Sequence, residues 1–142
     1  MRFKENDMIR IYGIAVLIIF VFPFFAAAQD FDGSKPLICS VVEVVECAPG
    51  TPCVKGLPDD FEFPQFIKVK FEDNLLTGKA DNRKTETSPI EKVQTMEGNL
   101  ILQGAQSGRS WSMVISQTSG KMTGSIAADG FSFTVFGACI PQ

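Results

Sequence analysis

Apolar and polar positions alternate along most of the chain, and the alternation has a period of two. In Gln65–Glu72, "QFIKVKFE", Ile67, Val69 and Phe71 fall on one face and Lys68, Lys70 and Glu72 on the other, as in a strand with one dry side. The same pattern recurs beyond Gly98. "NLILQG", "SWSMVIS", "KMTGSIAA" and "GFSFTVFGAC" follow one another, separated by "AQSGR", "QTSG" and Asp129-Gly130. Asp129-Gly130 predicts a two-residue hairpin turn. Trp111, Met113 and Ile115 share a face, as do Met122, Gly124, Ile126 and Ala128, and then Phe131, Phe133, Val135 and Cys139. The serines, threonines and Lys121 between them take the other face, which makes a meander with one wet side.

The first β-branched run, "LICSVVEVVE" (Leu37–Glu46), alternates imperfectly: Leu37, Cys39, Val41, Val45 and Cys47 share a face with Glu43. A bulge near Val42 to Val44 would repair the pattern. "NLLTGKA" and "SPIEKVQTM" are weaker strands around "ADNRKTET", a polar segment expected to be an exposed loop. Beyond residue 28, no window offers a helical apolar stripe with caps. The fold class expected is therefore all-β: an antiparallel meander of about eight short strands, forming a small barrel or strongly curled sheet. Gly78, Gly104, Gly124 and Gly137 lie inside strand patterns, where they permit the bends such a shape needs.

The N-terminus departs from this period. Arg2, Lys4 and Arg10 precede an apolar run, Ile11 to Phe25, that ends in Ala26-Ala27-Ala28. A basic region, an apolar core and a small-residue site are the features of a secretory signal peptide, and Pro23 argues against a spanning anchor. The expected organisation is a signal peptide at 1–28, a polar tail at 29–36 and one all-β domain at 37–142. Cleavage would remove three basic and two acidic residues, moving the formal net charge from −3 to −4. With no basic stripe, nucleic acid is excluded as a partner. No apolar run after the signal peptide is long enough to cross a bilayer.

In an exported chain, Cys39, Cys47, Cys53 and Cys139 form an even set meeting an oxidising environment. Cys47 and Cys53 flank "APGTP", whose Pro49, Gly50 and Pro52 fold the segment back on itself, so a Cys47–Cys53 clip is favoured; Cys39–Cys139 then ties the first strand to the last. The spacings do not suit a four-cysteine zinc site or a C-x-x-C redox centre. "DFDGS", with Asp30 and Asp32, is only a fragment of a calcium loop.

Candidate chemistry is sparse. There is no histidine, which removes Ser-His and Cys-His nucleophiles and the commonest general base. Glu43, if inward-facing, is the one catalytic carboxylate candidate; Asp59 and Asp60 read as a solvated turn after Pro58. In "LPDDFEFPQF", Phe61, Phe63 and Phe66 are interleaved with acids. They are expected to close one end of the barrel or to form an apolar lip at its mouth, with Trp111 as a core residue or ligand platform.

The C-terminal half, "GNLILQGAQSGRSWSMVISQTSGKMTGSIAADGFSFTVFGAC", together with "CAPGTPC" and "FPQF", resembles a group of small exported cysteine-containing proteins of Gram-negative bacteria that have no assigned activity. The resemblance implies a periplasmic or secreted domain and supplies no catalytic residues. A looser similarity is to the small barrel-shaped lysozyme inhibitors of the bacterial envelope, which share size, compartment and β content; their inhibitory Ser and Lys loop is not found here, and "QSGRSW" is its nearest counterpart. The reading is a non-enzymatic binding module without cofactor, taking a small apolar ligand or an envelope protein partner. The alternative is an inhibitor of a hydrolase such as lysozyme.

Overall fold

The computed structural model describes residues 30–80 and 83–142; the signal-peptide expectation for 1–28 lies outside them. The described chain is all-β, in ten strands: β1 (Leu37–Cys47), β2 (Val54–Gly56), β3 (Phe66–Lys70), β4 (Leu75–Gly78), β5 (Glu86–Pro89), β6 (Lys92–Met96), β7 (Asn99–Gln106), β8 (Arg109–Ser116), β9 (Lys121–Ala128) and β10 (Phe131–Pro141). A single 3₁₀ turn, Pro58–Phe61, lies between β2 and β3.

All strand pairs are antiparallel, in the order β5-β4-β3-β1-β10-β9-β8-β7-β6, with β2 paired to the side of β1. The sheet curls into a half-barrel. Its two edges, β5 and β6, are consecutive in sequence, so Ile90 and Glu91 carry the chain from one edge to the other. Along this seam the Trp111 indole N–H donates to Ser88 Oγ at 2.8 Å. A Cβ on Gly104 would overlap the Pro89 carbonyl oxygen, so glycine there lets β5 approach β7. The expected strand "SPIEKVQTM" is thus two strands, broken where the sheet has to turn back on itself.

Turn chemistry sets the registers of the meander. Glu97-Gly98 and Ser107-Gly108 each place both residues at positive φ, the geometry that matches the twist of a two-residue hairpin. Asp129-Gly130 also closes a two-residue turn, with Phe131 opposite Ala128, but only Gly130 is left-handed.

The core contains Leu37, Val69, Leu100, Leu102, Ile115 and Met122, all nearly or completely buried. Cys39 and Cys139 face each other in the β1–β10 ladder and form a disulfide spanning 100 positions of sequence. Cys47 and Cys53 form the second. Both pairings are those favoured by the sequence.

One end of the half-barrel is sealed by the segment expected to be a polar tail. The Phe31 ring packs against the core and beside Gly120, and Gln117 Nε2 donates to the Phe31 carbonyl oxygen at 3.2 Å. Phe71 and Leu100 approach Gly33. Correcting that expectation, Asp30–Pro36 is polar by composition but contributes an aromatic stopper, because burying one phenylalanine outweighs the exposure of its short polar neighbours.

Candidate functional site

At the opposite end the interior is hollow. A cavity of about 360 Å³ opens between β3–β4, β8–β10 and the Phe61–Pro64 segment, a size at the lower end of the range for small-molecule sites. Its deeper wall is Ile67, Leu76, Met113 and Val135, with the ring of Trp111 and the backbone of Gly124. Gly124 leaves room that a side chain would fill, since a Cβ there would press on Val135 Cγ2.

The mouth is aromatic. Phe133 lies at the centre of three ring contacts, with centroids 6.2 Å from Phe61, 6.4 Å from Phe63 and 5.5 Å from Phe131. The Phe61 and Phe131 contacts are edge-to-face, the arrangement favoured by ring quadrupoles. Phe61 and Phe63 are brought to the mouth by the 3₁₀ turn. Asp60 Oδ2 accepts from the Leu57 N–H at 2.8 Å, and the Phe63 N–H donates to the Pro58 carbonyl oxygen at 2.9 Å. Pairing of β2 with β1 and the Cys47–Cys53 clip tether this segment to the sheet.

The structure therefore brings together three of the four proposed lip residues: Phe61, Phe63 and Trp111 line the cavity. Phe66 does not. On β3 it precedes the buried Ile67 and so points to the outer face, 54% exposed. Its place is taken by Phe131 and Phe133 from β10, which were read from sequence as ordinary inward positions of a strand.

Glu43 needs a second correction. The register shifts between Val41 and Glu43, so the expected bulge is present. It leaves Val42 60% exposed and gives Val44, fully buried, the inward position. Glu43 is directed outward instead, its side chain 44% exposed and 4.0 Å from Lys55 Nζ, which removes the basis for an inward catalytic carboxylate there. The same shift turns Glu46 inward. It stands opposite Phe133 in the β1–β10 ladder and lines the cavity.

Other charges surround the rim. Glu62 pairs with Arg83, joining the Phe61–Pro64 segment to the loop after β4, and Glu86 lies 3.9 Å from Arg109. Lys84 also reaches the wall. The "AQSGRSW" segment forms the β7–β8 turn, with Gln106 and Arg109 at the edge of the cavity. Ser88, 8% exposed, is the buried polar side chain of the wall, accepting from Trp111.

Among the described residues, no cluster of His, Cys, Asp or Glu is arranged to hold a metal ion, and no helix is long and apolar enough to cross a membrane. The two disulfides fit a compartment outside the reducing cytoplasm. Comparison with protein-family models, curated proteins and solved structures gave no match.

Proposed function

We propose that this protein is an exported, non-enzymatic binding module that holds a small apolar ligand in the open end of its half-barrel, acting in the periplasm or after secretion. The observation that carries this reading is the asymmetry of the interior. One end is filled by buried core side chains and stoppered by Phe31, while the other keeps an aromatic-lined hollow of about 360 Å³. Protein interiors are ordinarily close-packed, and a void lined by Trp111, Met113, Phe133 and Val135 forgoes dispersion contacts that a ligand would restore. The rigid surround, with two disulfides and ladders on nearly every strand, favours a preformed site, and preformed sites bind without a large ordering cost.

The experiment is mass spectrometry of the protein purified from a bacterial periplasm, with native and denaturing conditions applied to one sample. The expected result is a native mass exceeding the denatured mass by that of one small molecule. Trp111 is the only tryptophan of the chain and lines the cavity, so its emission provides the companion measurement. Equal native and denatured masses, with Trp111 emission unmoved by added 1-octanol, would show the reading to be wrong.

A further inference from the structure

The cavity wall carries charge in an uneven way. Of its six ionic side chains, Glu62 is paired with Arg83 and Glu86 with Arg109, so these four largely cancel. Glu46 takes part in no ion pair among the described residues. The β1 bulge aims it inward, directly across the ladder from Phe133. Phe133 in turn is the centre of the cluster formed with Phe61, Phe63 and Phe131. A half-buried carboxylate thus lines the same mouth as these rings.

A cleft lined by an unpaired carboxylate draws positive charge, and the faces of aromatic rings attract cations of low hydration. The two features select the same chemistry. We propose that the ligand is an apolar cation, an alkyl or aryl ammonium, whose hydrocarbon part fills the hollow beside Trp111 and Met113 and whose charged head rests between Glu46 and the mouth phenylalanines. This rests on the cavity being a binding site and goes on to name the chemical class that it takes. Lys84, the remaining cation of the wall, makes an anionic ligand the competing outcome.

The test uses three probes of one chain length, octyltrimethylammonium, 1-octanol and octyl sulfate, titrated into the oxidised protein below their micelle concentrations and followed by Trp111 emission. The ammonium is expected to bind about ten-fold more tightly than the alcohol, as for a cation–π contact with a nearby counter-charge. In Glu46→Gln, which keeps the shape of the side chain, that preference should fall to about two-fold or less while 1-octanol binds as before. Near-UV circular dichroism of the variant checks that the mouth keeps its packing. Equal binding of ammonium and alcohol, tighter binding of the sulfate, or a preference unchanged in Glu46→Gln would each overturn the assignment while leaving the cavity as a site. Failure of all three probes to bind would instead overturn the binding reading itself.

Discussion

Truncation of Leu100 to alanine should destabilise the protein far more than truncation of the larger Phe63. Leu100 is completely buried on β7, between Thr95 of β6 and Ile115 of β8, and close to the Phe31–Phe71 stopper. The change removes three carbons' worth of burial, roughly 2.4 kcal/mol at about 0.8 kcal/mol per methylene. Walls held by hydrogen-bonded neighbours on both sides collapse little, so a new void adds to this. The total expected is about 3–4 kcal/mol. Phe63 is only partly buried and already borders the hollow. Its truncation enlarges an existing void rather than creating one, and about 1–2 kcal/mol of lost burial is expected. Urea unfolding of the oxidised protein, with midpoints compared at constant slope, measures both. A loss below about 1.5 kcal/mol for Leu100→Ala, against the roughly 3 expected for a buried leucine, or a larger loss for Phe63→Ala, would refute the division into a packed end and a hollow one.

Three further outcomes follow from the same geometry. Replacing Cys39 and Cys139 together by alanine should cost up to about 4–5 kcal/mol, and the Cys47/Cys53 pair about 2 kcal/mol, because the entropy released grows with loop length; denaturant midpoints compare the two. Gly137→Ala should destabilise by more than about 2 kcal/mol, since its Cβ would overlap the Ser40 carbonyl oxygen inside the β1–β10 ladder; a thermal midpoint within a few degrees of the parent protein would contradict this. Trp111→Phe leaves the buried Ser88 hydroxyl without its seam partner and should cost about 1–2 kcal/mol, accompanied by faster amide exchange at β5, the edge that the bond secures.

Most of the strands, the wet and dry faces of the meander and both disulfides could be read from the sequence, because a period of two and a Pro/Gly turn between cysteines are local signals. Strand β2 was not read, and β5 begins inside the segment expected to be a loop. What escaped was set by position in three dimensions. The bulge in β1 was legible near Val42 to Val44, where the register does shift, but not to the residue. One residue of register decides which of Glu43 and Glu46 faces inward, and only pairing with β10 fixes it. Phe66 was grouped with Phe61 and Phe63 by proximity in sequence, yet the 3₁₀ turn ends before β3 begins, and strand alternation then sends Phe66 outward. Phe131 and Phe133 carried no signal beyond ordinary strand periodicity; their role comes from lying on the wall opposite that turn. The break at Ile90 and Glu91 was hidden because neither residue is a turn former, the bend being imposed by closure of the sheet edge against β7.

The most direct test of the hollow end is a crystal pressurised with xenon, which occupies dry apolar cavities. A xenon site enclosed by Trp111, Met113 and Phe133 is expected, and none in the packed end around Leu100 and Met122. A crystal in which Trp111 and the phenylalanines have closed over that volume, leaving no xenon between them, would contradict it.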